Sequence, residues 1–141
     1  MTKNIFRNPA ATASIILERN GKICLVRRKK DPYAGRLALP GGFLNYKRET
    51  LEHTAQRELR EETNYRVKLD DLELFEVNSE SARDPRDHVI DHIYVAGRFT
   101  GYGKANDDAD GLYWVVTEEA ARMNLAFDHK KVIKHYLERK R

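Results

Sequence analysis

The chain has 141 residues, of which 40% are hydrophobic and 34% are charged, and its net charge is +4. These values predict a single globular domain over residues 1–141. A membrane-spanning helix is excluded, because no apolar run approaches the ~20 residues that such a helix needs.

Cysteine content and charge predict the compartment and the class of partner. The N-terminal residues lack the apolar stretch of a secretory signal, and the single cysteine, Cys24, cannot form an internal disulfide. Both features favour a cytoplasmic protein. The basic charge suits RNA or any phosphate-bearing ligand, but it is scattered along the chain, so RNA is the less favoured partner. The oligomeric state stays open, a homodimer included.

The N-terminal part of the chain predicts strands. Two short apolar runs, Ala13–Leu17 and Lys22–Arg28, are separated by Asn20-Gly21, which is typical of a β-hairpin. The Pro- and Gly-containing segment Asp31–Gly35 predicts a loop. Residues 37–39 predict a short strand that Pro40-Gly41-Gly42 ends.

The next segment predicts a helix. No Gly or Pro interrupts Thr50–Thr63, and Leu51, Ala55 and Leu59 recur every four residues within it. This spacing places the three apolar residues in a narrow stripe along one face of a helix.

The remaining elements complete an α+β fold. Strands are predicted at Leu72–Val77, His88–Phe99 and Leu112–Val116, with polar loops at Asn78–Asp87 and Gly101–Gly111. Thr117 is the predicted cap of a short helix, and Asp128 the cap of a C-terminal helix with Val132, Ile133, Tyr136 and Leu137 on one face. Strands mixed with helices predict a mixed β-sheet covered by helices on both sides.

The helix at Thr50–Thr63 carries a cluster of acids. At ~100° per residue, Glu58, Glu61 and Glu62 share a face that overlaps the edge of the apolar stripe. Crowded, partly buried carboxylates need a compensating positive charge. An all-carboxylate set without His or Cys suits Mg²⁺ or Mn²⁺ rather than zinc.

Neighbouring residues support the hypothesis that these acids bind a divalent metal near a phosphate. Arg57 can pair with another acid, such as Glu49, and hold it in orientation. Backbone N–H groups around Gly41 and Gly42 can approach phosphate oxygens closely, because no Cβ intrudes. The alternative is that the acids only form a solvated helix face together with Arg57 and its neighbours.

The segment from Gly42 to Tyr65 resembles the Nudix box. That pattern is Gly, five residues, Glu, seven residues, then Arg-Glu-apolar-any-Glu-Glu-any-Gly-apolar. Here seven residues separate Glu49 from Arg57, and Arg57-Glu58-Leu59-Arg60-Glu61-Glu62 follows the pattern. Two departures are present: six residues separate Gly42 from Glu49, and Asn64 replaces the glycine.

The resemblance implies a Nudix-type α/β/α sandwich and hydrolysis of a pyrophosphate with Mg²⁺, for which Mn²⁺ can substitute. It implies Glu58 and Glu62 as the principal metal ligands, with Glu61 contributing directly or through water. Glu58, Glu62 and an acid of the loop at residues 107–110 all stay open as the general base.

Features outside the box resemble the ADP-ribose pyrophosphatase branch of the family, including the Nudix half of bifunctional nicotinamide-mononucleotide adenylyltransferases. They are Asp31–Gly35 ahead of Leu39-Pro40-Gly41-Gly42, Arg83-Asp84-Pro85-Arg86, Asp107-Asp108-Ala109 ahead of Trp114, and Ala126-Phe127-Asp128-His129. The resemblance implies hydrolysis of ADP-ribose to AMP and ribose 5-phosphate.

Several residues are candidates for binding that substrate. Arg83 and Arg86 can hold phosphate or ribose with paired donors, or alternatively pair with Asp84 or Asp87. Tyr33 can stack on adenine or simply pack against the protein. The predicted substrate-binding set is Gly41, Gly42, Tyr33, Arg83, Arg86, Asp107 and Asp108.

Two alternative functions stay open. The same chemistry can act on nucleoside triphosphates, dinucleoside polyphosphates or capped RNA ends. A non-catalytic nucleotide sensor is the other alternative. The presence of all three box glutamates, and the short segment after the strand of Trp114, argue against the sensor.

Overall fold

The structure is a computed structural model that describes residues 7–104 and 109–140, with the side chains of residues 109 and 110 excepted. The strands are β1 (Ala10–Ile16), β2 (Glu18–Arg19), β3 (Lys22–Arg28), β4 (Leu37–Ala38), β5 (Gly41–Phe43), β6 (Leu72–Asn78), β7 (Val89–Ala96) and β8 (Ala109–Val116). The helices are α1 (Leu51–Thr63), α2 (Thr117–Ala120) and α3 (His129–Lys140). The predicted substrate-binding residues Asp107 and Asp108 lie outside the described residues.

The strands form two sheets. The first has the order β5-β1-β7-β6, in which β1 and β7 are parallel and the other pairs are antiparallel. In the second, β3 pairs antiparallel with β2, β4 and β8. The chain passes from the first sheet to the second at Leu17, between β1 and β2. The predicted mixed sheet is confirmed, and its division into two parts is an additional finding.

Helices cover both faces of the mixed sheet, as predicted. Ile15 and Ile16 of β1 are both fully buried, but their side chains point in opposite directions. Ile15 packs in a cluster with Leu59 of α1, whereas Ile16 packs with Val132 and Ile133 of α3. Each such side chain contributes about 1.5–3 kcal/mol by leaving water.

The predicted hairpin is present. Asn20 and Gly21 have positive φ angles of 54° and 74°, as a tight turn between antiparallel strands requires. The strand that enters this turn is β2, which pairs with β3 in the register Glu18↔Ile23. The strand predicted at Ala13–Leu17 lies within β1 and belongs to the other sheet.

Local signals set both ends of α1, which confirms the helix prediction. The Thr50 side chain accepts a hydrogen bond from the His53 backbone N–H at 3.2 Å. At the other end Asn64 has φ 65°, and its N–H donates to the Arg60 carbonyl at 2.9 Å. Asn64 therefore adopts the left-handed conformation that glycine adopts in the family pattern.

Three predicted boundaries are corrected. Gly41 and Gly42 do not end the extended structure: they begin β5, which pairs with β1. Thr117 is the first residue of α2 rather than its cap, because its hydroxyl donates to Glu18 at 2.6 Å. The strand predicted at His88–Phe99 is the shorter β7.

No helix in residues 7–104 or 109–140 combines the length and apolar character needed to cross a lipid bilayer.

Candidate active site

A cavity of about 350 Å³ lies where α1, the mixed sheet and the segment preceding α3 meet. Three groups of residues line it. The first comprises Arg57, Glu58 and Glu62 of α1, and the second is the basic run Arg27–Lys30. The third combines residues of the loop before β7 with Phe127 and His129. The cavity thus brings acidic, basic and aromatic side chains together.

The glycine pair of β5 packs directly against the acids of α1. The Gly41 N–H donates to Glu62 Oε2 at 2.7 Å. A Cβ added at Gly42 would lie only 2.4 Å from the Glu58 carboxylate. Glycine at position 42 therefore leaves the space that Glu58 occupies. The predicted proximity of the glycines and the acids is found, and the Gly41 N–H engages Glu62.

Arg57 connects the acidic groups. Its Nε and Nη2 atoms donate to the two carboxylate oxygens of Glu49 at 3.0 and 2.7 Å. Its Nη1 donates to Glu58 at 2.8 Å and to Glu61 at 3.1 Å. Nη2 also donates to the Phe43 carbonyl at 2.9 Å, which joins the group to β5. The predicted contact between Arg57 and Glu49 is present in bidentate form.

The additional residue before Glu49 is accommodated in a turn. The Arg48 N–H donates to the Asn45 carbonyl at 3.0 Å, and Lys47 within this turn has φ 63°. The longer loop therefore does not displace Glu49 from Arg57.

The pairing of Arg57 with Glu49 shifts the pKa values of both groups. Hydrogen bonds from Arg57 lower the pKa of Glu49 from 4.5 to about 2 despite an opposing effect of burial. Hydrogen bonds to Glu49 and Glu58 raise the pKa of Arg57. Both groups are therefore charged at neutral pH.

Replacing Glu49 with Gln should destabilise the protein at pH 7 by about 1–3 kcal/mol, because Arg57 loses a charged partner. The pKa of Glu49 is lowered on folding, so the charged Glu49 side chain stabilises the folded protein above about pH 4.5. This stabilisation is lost as the pH falls towards about 2. Urea unfolding at pH 7 and near pH 2 measures the difference, with Glu73→Gln on the exposed side of β6 as control. An equal difference at both pH values would contradict this assignment.

The two candidate arginines form ion pairs with different carboxylates. Arg83 has a side chain only 5% exposed, and its Nε and Nη2 atoms donate to Asp128 at 3.1 and 3.0 Å. It therefore ties its loop to the start of α3. Arg86 donates through Nε and Nη2 to Asp84 at 3.0 and 2.7 Å, the pairing predicted as the alternative to ligand binding. Both arginines line the cavity.

Tyr33 is not among the described residues that line the cavity. Its ring packs edge-on against Phe127, with 5.0 Å between centroids. The Arg36 guanidinium lies 5.1 Å from the Tyr33 ring centroid. Phe43 and Phe127, rather than Tyr33, are the phenyl rings among the described residues that line the cavity.

A group of buried polar residues was not predicted from the sequence. Asp91 is 1% exposed, and its carboxylate accepts hydrogen bonds from the hydroxyls of Thr12 and Ser14 at 2.9 Å each. His129 Nδ1 accepts from the Leu39 N–H at 3.0 Å, while its Nε2 lies 3.9 Å from Asp91. Burial lowers the pKa of His129, which favours its neutral form. The alternation of Thr12 and Ser14 with apolar residues in β1 was the available signal.

Comparison with known proteins identifies the family. The sequence profile of the NUDIX domain matches residues 7–136. The chain belongs to the Nudix family. This confirms the predicted family and the prediction of a hydrolase.

The relatives of this Nudix chain include enzymes and a regulator. It is 38% identical over 133 residues to an ADP-ribose pyrophosphatase of Methanocaldococcus jannaschii, covering 94% of this chain and 76% of that protein. It is 32% identical to the ADPR responsive transcriptional repressor NtrR of Acinetobacter baylyi, covering 79% of this chain but only 45% of the repressor.

Solved Nudix structures show the same fold. The NUDIX domain of Shewanella oneidensis NrtR, complexed with ADP ribose, matches with a TM-score of 0.85 and 26% identity, covering 96% of this chain and 91% of that one. A bifunctional NMN adenylyltransferase/ADP ribose pyrophosphatase from Francisella tularensis, complexed with AMP and a manganese ion, matches with a TM-score of 0.81 and 27% identity. That match covers 95% of this chain and 42% of the bifunctional protein.

The donor chemistry of this Nudix site suits a divalent metal, as Nudix hydrolases generally use. Carboxylates of Glu58 and Glu61 both accept from the same Arg57 nitrogen, so they already converge on a positive charge. Within the part of the chain that the structure describes, no three His, Cys, Asp or Glu side chains are arranged to hold a metal ion. The fit therefore rests on the oxygen-only donor set, which hard cations prefer.

Proposed function

We propose that this Nudix hydrolase cleaves the pyrophosphate of ADP-ribose to AMP and ribose 5-phosphate with Mg²⁺. The proposal rests on one observation: a single cavity combines Glu58 and Glu62 of α1 with the basic run Arg27–Lys30. A diphosphate needs positive charge along its oxygens and an activated water near one phosphorus. The similarity to an ADP-ribose pyrophosphatase supports the choice of substrate.

The basic run and the acids have complementary tasks in this mechanism. Arginine and lysine side chains of residues 27–30 bind the diphosphate oxygens and offset their charge. A divalent cation held by Glu58, Glu61 and Glu62 would neutralise the pyrophosphate further and acidify the attacking water. Water adds to one phosphorus, the bond from that phosphorus to the bridging oxygen breaks, and the two phosphate monoesters leave as AMP and ribose 5-phosphate.

Two groups position the acids for this reaction. Arg57 orients Glu58 and Glu61, and its bidentate bond to Glu49 fixes the guanidinium itself. The Gly41 N–H orients Glu62. Glu58, Glu62 and an acid of the loop at residues 107–110 all remain candidates for the general base.

A substrate panel tests the proposal. ADP-ribose, a nucleoside triphosphate, a dinucleoside polyphosphate and a capped RNA are incubated with Mg²⁺, with Mn²⁺ or with chelator, and the products are separated by chromatography. We expect ADP-ribose to be preferred, and AMP and ribose 5-phosphate to appear in equal amounts only when metal is present. Faster cleavage of the RNA would overturn the choice of substrate.

A non-catalytic ADP-ribose sensor is the second candidate. It is favoured by the likeness to the NUDIX domain of NrtR, whose solved structure contains ADP ribose. Tight ADP-ribose binding without product formation in either metal would select this alternative.

A further inference from the structure

The carboxylate of Glu49 accepts more hydrogen bonds than its pairing with Arg57 supplies. The Asn45 backbone N–H donates to Glu49 Oε1 at 3.0 Å, and the Thr54 hydroxyl donates to the same oxygen at 2.8 Å. Arg57 Nε and Nη2 reach both oxygens. The Glu49 side chain is only 11% exposed, so these donors rather than water determine its orientation.

Thr54 is a polar residue on the buried side of α1. It is 0% exposed, as is its neighbour Ala55. It precedes Arg57 by three positions and Glu58 by four, so the three side chains lie on adjoining parts of the helix surface. A buried hydroxyl requires an acceptor. Two acceptors are within reach of Thr54: Glu49 Oε1 at 2.8 Å and the Thr50 carbonyl at 3.0 Å.

The carboxylate is the stronger acceptor for the single hydroxyl proton of Thr54. Helical threonines often donate to the carbonyl four residues earlier, as Thr63 does to Leu59 at 2.6 Å. For Thr54 the carboxylate is both closer than the carbonyl and charged, and hydrogen bonds to charged acceptors are stronger. Arg57 lowers the pKa of Glu49 most, and the hydrogen bond from Thr54 acts in the same direction.

We propose that Thr54 is a positioning residue for the metal-binding acids and that it acts through Glu49 and Arg57. The Thr54 hydroxyl fixes one oxygen of Glu49, and Glu49 in turn holds the Arg57 guanidinium. Nη1 of that guanidinium donates to Glu58 and Glu61. Groups that orient metal ligands from behind affect metal affinity. The inference rests on the proposed function, in which Glu58 and Glu61 hold a divalent cation.

Two substitutions at position 54 test the hydroxyl without requiring turnover. Thr54→Val replaces the hydroxyl with a methyl group, whereas Thr54→Ser keeps the hydroxyl. Mn²⁺ is titrated into the intact protein, and free Mn²⁺ is measured by electron paramagnetic resonance. Thr54→Val should bind Mn²⁺ about 10-fold more weakly, and Thr54→Ser should bind it as the wild type does.

The Arg57 side chain gives a second measurement, which needs no metal. Its Nε–H donates to Glu49 at 3.0 Å, so the exchange of this proton with water reports how firmly Glu49 is held. Nitrogen-15 NMR of the metal-free protein should show faster exchange in Thr54→Val than in the wild type or in Thr54→Ser.

Thr63→Val is the matched control, because Thr63 is also 0% exposed on α1 but its hydroxyl donates to the Leu59 carbonyl. It should leave Mn²⁺ affinity and Arg57 exchange unchanged, and thermal melting verifies that each variant is folded. Unchanged values in folded Thr54→Val would overturn the proposal, as would equal losses in Thr54→Ser or Thr63→Val. If the expected order of Mn²⁺ affinities is found while the wild type does not cleave ADP-ribose, the proposed function fails and the role of Thr54 stands.

Discussion

Replacing Glu62 with Gln should lower kcat for ADP-ribose by about 10²–10⁴-fold while leaving the fold intact. Glutamine has nearly the same shape, and its amide oxygen can still accept from the Gly41 N–H, which bonds Glu62 at 2.7 Å. What it loses is the negative charge that would hold a divalent cation or accept a proton from water. The rate of AMP release at saturating Mg²⁺ is the measurement.

Glu73→Gln is the matched control for this substitution. Glu73 is exposed on β6 and does not line the cavity, so the same loss of charge should leave the rate unchanged. Thermal melting of both variants excludes unfolding as the cause of a lower rate. Full turnover by Glu62→Gln would refute the assignment of this residue to the metal.

Alanine at the two neighbouring glycines should have opposite effects. At Gly42 the new Cβ would meet the Glu58 carboxylate at 2.4 Å, and that carboxylate is the end of a flexible side chain. Glu58 can move away, so Gly42→Ala should lower kcat by about 10–10³-fold with little loss of stability. At Gly41 the Cβ would meet the Ala13 carbonyl oxygen at 2.4 Å and the Ser14 Cα at 2.8 Å. Backbone cannot yield so readily, and Gly41→Ala should destabilise the protein by about 1–3 kcal/mol or more.

Urea unfolding and the rate of AMP release, measured on both glycine variants, separate these effects. Each variant serves as the control for the other, since the substitution is chemically identical. An active, stable Gly42→Ala protein would show that Glu58 does not need its place beside β5 for the reaction.

Features predicted from sequence are those whose causes lie close together in the chain. The helix α1 follows from the regular spacing of its apolar residues and from the absence of Gly and Pro, whereas its Thr50 cap and the left-handed Asn64 at its end are findings of the structure. The same helical geometry places Glu58, Glu61 and Glu62 on one face without reference to the rest of the molecule. The hairpin at Asn20-Gly21 is likewise local, because the turn residues tolerate the positive φ angles that it needs.

Features that sequence did not reveal depend on residues that are distant in the chain. Thr12 and Asp91 are 79 positions apart and meet only because β1 and β7 are parallel neighbours. Arg83 and Arg86 look equivalent in sequence. Their surroundings separate them, since α3 brings Asp128 to Arg83, whereas Arg86 reaches the rings of Phe43 and Phe127.

The acidic helix and the glycine pair that precedes it could be predicted from the sequence, since short-range backbone geometry and side-chain periodicity encode both. The surroundings of these acids depend on the tertiary structure. Packing between distant segments makes Arg83 a structural residue and places the rings of Phe43 and Phe127 at the cavity. It also buries the carboxylate of Asp91. Such choices depend on contacts between segments that no local pattern records.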